Sequence, residues 1–156
     1  MKRTVVSLIG TIATGAALAA GPAFAQTAAA PTVDSLAKAR ATFESTCSTC
    51  HPLARPEGKV LDADGWNKIL DRMKDNGAEF DKDGRAAIVS WLATKSTFDT
   101  KCSACHGTDR PLGKNKDLAG WTSTVQRMAG KKPGHLTETE VAAVAAYLSI
   151  VRPPTP

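Results

Sequence analysis

"FESTCSTCHPLARP" occupies residues 43–56 and "FDTKCSACHGTDRP" occupies residues 98–111. Both contain Cys-x-x-Cys-His followed four residues later by Arg-Pro, so the chain repeats itself at an offset of 55. Carried downstream, residues 43–76 match 98–131 at 14 of 34 positions, Phe43/Phe98, Gly65/Gly120, Trp66/Trp121, Arg72/Arg127 and Met73/Met128 among them. Beyond this stretch "FDKDGRAAIVSWL" from Phe80 pairs with "LTETEVAAVAAYL" from Leu136 at an offset of 56, which places a one-residue insertion near Lys131–Gly134. A fixed period of this length is the mark of a tandem duplication.

Each copy reads as three helical pieces. Asp34-Ser35 is suited to cap a helix whose apolar positions Leu36, Ala39 and Phe43 lead to the first Cys pair, and a shorter version surrounds Phe98. After a Gly/Pro/Lys-rich loop, Trp66, Ile69, Leu70 and Met73 fall on one helix face, as do Trp121, Val125 and Met128. Thr137-x-x-Glu140 is a capping box ahead of Val141, Val144, Ala145 and Leu148, and the matching helix from Asp83 to Thr94 carries Ile88, Trp91 and Leu92. No segment alternates as a strand would, so the expected fold is all-α: two tandem small modules, 41–95 and 96–152. Only "TKST", residues 94–97, lies between them, so they should pack together.

The chain begins Met-Lys-Arg, continues through small and apolar residues, and reaches Ala23-Phe24-Ala25, an A-x-A cleavage signal. Residues 1–25 read as an export signal removed after Ala25, with no retained membrane segment, and 26–40 as a leader whose small-residue stretch 27–35 is expected to be a flexible tail. Periplasmic location follows. Without the signal the formal charge falls from +5 to +3. The basic residues form no dense run and do not alternate with aromatics, which gives no support to a nucleic-acid partner.

All four cysteines lie in the two motifs, as Cys47/Cys50 and Cys102/Cys105. Paired disulfides or zinc are open to any Cys-x-x-Cys, but the His that follows each second Cys matches the haem attachment sequence. Thiols three positions apart on one turn reach the two vinyl groups of a single haem, and His51 or His106 is then aimed at the iron. Modules of some 55 residues bury little apolar surface, and a covalently held haem would supply both core and cross-link. Two covalently bound haem c groups are therefore expected.

The mature chain has two methionines, Met73 and Met128, each 22 residues after its haem His. Either is core filler by helical spacing alone, but the shared offset marks both as axial ligands. His135 is read as an exposed loop residue, with displacement of Met128 as its alternative role. Arg55/Arg110 and Trp66/Trp121 are candidate donors to haem propionates, against surface contacts for the arginines and packing for the tryptophans. Arg72/Arg127 are assigned to the surface.

Two Cys-x-x-Cys-His sites, each followed by Arg-Pro, Gly-Trp, Arg-Met and a helix ending in aromatic-Leu, resemble a dihaem class I type cytochrome c. The similarity is to the dihaem-binding domain of the quinohaemoprotein amine dehydrogenase alpha subunit, from about Phe43 to Leu148. The resemblance implies a periplasmic helical protein that relays electrons between a dehydrogenase or other redox donor and a downstream acceptor; the dehydrogenase activity is not carried over with it, and no enzyme activity is expected of this chain. It also implies one haem with two His ligands, whereas this chain offers Met in both copies. A haem subunit of a dehydrogenase complex is the alternative role. A dihaem peroxidase or gas sensor is the more distant one.

Overall fold

The computed structural model describes residues 29–155, so the expected signal at 1–25 and the start of the leader lie outside the described residues. Seven helices follow in order: α1 (Val33–Cys47), α2 (Ala54–Glu57), α3 (Ala63–Asp75), α4 (Lys82–Cys102), α5 (Asp109–Leu112), α6 (Leu118–Lys131) and α7 (Glu138–Val151). There is no strand among the described residues, so the chain is all-α. None of these helices is long and apolar enough to cross a membrane.

Two local expectations are corrected. The cap of α1 is Thr32, whose hydroxyl accepts from the Ser35 N–H at 3.2 Å, and not Asp34-Ser35. Two turns of the supposed leader are thus helical, because Leu36 and Ala39 are buried in the core and hold them there. The helix expected to end at Thr94 and the one expected around Phe98 are one: residues 94–97 lie inside α4, which runs unbroken for 21 residues, about 31 Å, and the copies pack together as expected. The stretch contains neither Gly nor Pro to stop a helix. An i,i+4 ion pair, Lys95 Nζ to Asp99 Oδ2 at 2.6 Å, spans the junction.

The duplication is visible in the caps and in the packing. Asp62 and Asp117 cap α3 and α6 by accepting from the N–H of Gly65 and Gly120, at 2.7 and 2.8 Å. Asp81 and Thr137 cap α4 and α7 at matched positions, the latter with the expected capping box. Helix α1 packs on α4 as α4 packs on α7, and α3 packs on α4 as α6 packs on α7. Helix α4 therefore closes the first copy and opens the second. One continuous core results, with Leu36, Phe43, Trp66, Ile88, Trp91, Leu92, Phe98, Trp121, Val144 and Leu148 all within it.

An aromatic cluster sits where the copies meet. Trp91 and Phe98 of α4 flank Tyr147 of α7, with ring centroids 5.1 and 5.4 Å away. Tilted aromatic pairs of this kind contribute about 0.5–1.5 kcal/mol each beyond their burial. Arg40 of α1 lays its guanidinium 5.6 Å from the Trp91 ring and bonds Glu44 at 2.7 Å, which joins the third helix to the cluster.

The loop before each Trp helix is fastened in a matched way. Ser96 Oγ accepts from the Leu61 N–H and from Trp66 Nε1–H, both at 3.2 Å, and donates to the Leu92 carbonyl at 2.9 Å. In the second copy the Arg152 carbonyl accepts from the Lys116 N–H at 3.2 Å and from Trp121 Nε1–H at 3.1 Å. Replacing Ser96 with Ala strands two donors in the interior. The expected loss is about 1–3 kcal/mol in a urea melt. Thr97→Ala, one residue on, removes a hydroxyl that only back-bonds to Ala93 and should leave the midpoint nearly unmoved.

Candidate functional site

Each Cys-x-x-Cys-His begins at the last residue of a core helix. Cys47 ends α1 and Cys102 ends α4, and Ser48 and Ser103 continue with αR backbone angles before the chain turns. The first thiol of each pair is half-buried against the core, whereas Cys50 and Cys105 are exposed. All four thiols are free, so neither pair forms a disulfide in this structure. Burial raises the Cys47 thiol pKa. For Cys102, burial and then the nearby Asp99 carboxylate push it up to about 11.

The two His rings make the same contact. His51 Nδ1 lies 3.3 Å from the Pro52 carbonyl and His106 Nδ1 lies 3.0 Å from the Gly107 carbonyl. A carbonyl only accepts, so Nδ1 carries the proton and Nε2 keeps its lone pair. That is the tautomer a metal-ligating His needs, with the second ring nitrogen tied back to fix the ring.

A Cβ at Gly107 would overlap the Asp109 carboxylate, a flexible side chain that can turn aside, and residue 54, at the position matching Asp109, is Ala.

The remaining candidates fall into three groups. Met73 and Met128 are half-buried at the C-terminal end of the stripes that bury Trp66 and Leu70 on α3, and Trp121 and Val125 on α6. Arg55 and Arg110 are exposed on the matched short helices α2 and α5 and form no ion pair among the described residues. Trp66 and Trp121 are each 1% exposed, and their indole N–H groups are already bonded to Ser96 and Arg152. These N–H groups serve the packing of the loops, the role weighed as the alternative for the tryptophans. That leaves the two arginines as the free donors of the expected set.

His135 is neither exposed nor free. Its Nε2–H donates to the Lys101 carbonyl at 2.9 Å, and Lys101 Nζ donates to the His135 carbonyl at 2.9 Å, with Glu140 Oε1 3.8 Å from the same ammonium. This clasp ties the α6–α7 loop to the turn that ends in Cys102. Axial ligation by His135 through Nε2 would have to break it. Sequence reasoning missed the clasp because its partners are 34 residues apart and one bond on each side uses the main chain. Ser96 was within reach: at offset 56 it aligns with Arg152, the residue whose carbonyl does the same work.

The residue types a haem c site would need are each present twice: two pairs of free thiols, two His with Nδ1 tied to a carbonyl, two half-buried thioethers and two exposed guanidiniums. No three His, Cys, Asp or Glu side chains converge as a metal-binding group among the described residues. No protein-family model, curated protein or solved structure matches the chain.

Thiol reactivity should follow the geometry. In haem-free protein, alkylation at neutral pH followed by peptide mapping should label Cys50 and Cys105 first and Cys47 and Cys102 slowly. The Cys102 rate should climb only as pH approaches about 11, and Asp99→Asn should shift that climb to lower pH, since a neighbouring anion disfavours the thiolate.

Proposed function

We propose that this chain is a periplasmic dihaem cytochrome c that carries electrons between a redox donor and an acceptor, built as two class I cytochrome c-like modules that share α4. The observation that carries the reading is the paired one: Cys-x-x-Cys-His occurs twice, each time with Met 22 residues beyond its His. Support comes from the matched helix caps and packing of the two copies, and from the identical Nδ1 contacts of His51 and His106.

On this reading Cys47 and Cys50 would hold one haem by thioethers and Cys102 and Cys105 the other. His51 and Met73 would bind the first iron, His106 and Met128 the second. The haem iron supplies a one-electron couple when bound. The chain's own residues determine its setting: the carbonyls of Pro52 and Gly107 hold the imidazoles by Nδ1–H, which raises their basicity as ligands. Thioether sulfur favours the reduced iron and so raises the potential over a second imidazole. Arg55 and Arg110 are placed to pair with propionates at the rim. Helix α4, by ending in Cys102 while closing the first copy, holds the two units in a fixed relation, which suits rapid exchange between two sites.

A pyridine haemochrome assay of protein exported in a host that matures c-type cytochromes should return two haems per chain, on a polypeptide whose mass begins at Gln26. The oxidised protein should show the near-infrared Met-to-iron band, and Met73→Ala and Met128→Ala should each remove about half of it. A count of zero or one haem, or a band that neither substitution changes, would sink the assignment.

A further inference from the structure

The two Met-bearing helices differ in charge more than in any other property. Helix α3 carries Asp64, Asp71 and Asp75 against Lys68, Arg72 and Lys74. In α6 the matched positions of the three acids are Ala119, Gln126 and Gly130, while Asn76 is matched by Lys131. Helix α6 thus has no acidic residue and two bases. The wider units follow the same trend: residues 96–152 hold eight Lys/Arg against five Asp/Glu, whereas 41–95 hold eight against nine.

Geometry gathers the α6 bases into a strip. Arg127 and Lys131 are one turn apart on one face, and Thr124 precedes Arg127 by three residues on that face. Lys116, from the loop ahead of the helix, donates from Nζ to Thr124 Oγ1 at 2.6 Å, which places its ammonium on the strip. The first copy has Leu61 and Ile69 at the positions of Lys116 and Thr124, so only Arg72 remains there. Three cations therefore line about 10 Å of α6, with Lys132 at its end. Arg127 and Lys131 are exposed, and none of the four has an ion-pair partner among the described residues.

None of the five acids of the second unit forms an ion pair with this strip, and three of them are engaged elsewhere. Asp117 is the cap of α6, Glu140 closes the capping box of α7, and Asp99 is held by Lys95. The strip runs about a quarter turn round the helix from the stripe of Trp121, Val125 and Met128, so it borders the proposed second haem site.

We infer that the strip Lys116–Arg127–Lys131 on α6 is the docking surface for a redox protein with an acidic face, so that electrons enter or leave this chain through its second unit. This inference rests on the electron-carrier reading and names the partner chemistry of that reading. A surface cluster of like charges attracts an oppositely charged face and steers its approach, and the attraction falls as salt screens it. The first unit, with a balanced α3, lacks that steering.

The test uses the haem-loaded mature chain and, as probe, a blue copper protein with an acidic face. Binding is measured with the zinc-substituted, redox-inert form of the probe, and electron transfer with the cupric form. In the latter each ferrous haem gives one electron to one cupric centre, leaving ferric haem and cuprous copper with no proton moved. Both affinity and second-order rate should fall about tenfold or more between about 10 mM and about 300 mM ionic strength. At low salt Arg127→Glu/Lys131→Glu should lower both about tenfold, the milder Arg127→Gln/Lys131→Gln about threefold, and Arg72→Glu in the first unit less than about twofold. Affinity independent of salt, an equal loss in Arg72→Glu, or adsorption of the chain to anionic vesicles with unchanged copper-protein binding each overturns the docking surface. The haem count and the Met-to-iron band are measured first on every variant. A chain without two haems sinks the carrier reading, while a chain with both but indifferent to the strip sinks only this inference.

Discussion

A helix that does not end cannot offer its main-chain carbonyls to anything else, and this constraint shapes the centre of the molecule. In the second copy the terminal helix stops at Val151, and the freed carbonyl of Arg152 accepts from the Lys116 amide and the Trp121 indole. In the first copy the corresponding helix runs on as α4, and the carbonyls at that level are engaged within it. Ser96 resolves the conflict with a side-chain oxygen, which takes the same two donors while its own proton goes to the Leu92 carbonyl. Two copies can thus share a helix with the Leu61 amide and the Trp66 indole both satisfied, although the Trp91 indole N–H on the same helix is buried without an acceptor among the described residues.

Sharing α4 has consequences for both ends of the chain. The helix carries Trp91 and Phe98 seven residues apart, so Tyr147 packs against both, and the second copy's last helix is keyed to the junction. Arg40 reaches the Trp91 ring from α1. The phenol of Tyr147 is held protonated, first by burial and then by Asp99 and Glu57. A single core thereby spans units that would each be too small to hold a fold comfortably. Because α4 also ends at Cys102, the same packing positions the second attachment site.

The two candidate sites, alike in their His contacts and attachment turns, differ in their surroundings. The second is closed by the Lys101–His135 clasp and bordered by an unpaired basic strip. The first has the Arg85–Asp71 ion pair, 2.7 Å, bracing α4 against α3, and a mixed-charge surface.

Much of this was legible in the amino-acid sequence. Periodicity and caps set the all-helical class, because burying a stripe of Trp, Val and Leu at three-to-four-residue spacing leaves few alternatives, and the repeat located every attachment and ligand candidate by arithmetic. What the sequence left open depended on contacts distant along the chain. Whether "TKST" is a linker or a helix was decided by the core on either side of it, and the true cap of α1 by the burial of Leu36 and Ala39. The commitment of Trp66 and Trp121 to internal acceptors and the clasp around His135 required main-chain carbonyls more than thirty residues away. Local pattern determines which groups a residue brings. Only tertiary packing decides which of them remain free, since most buried donors find their acceptor within the fold, the Trp91 indole being the exception among the described side chains.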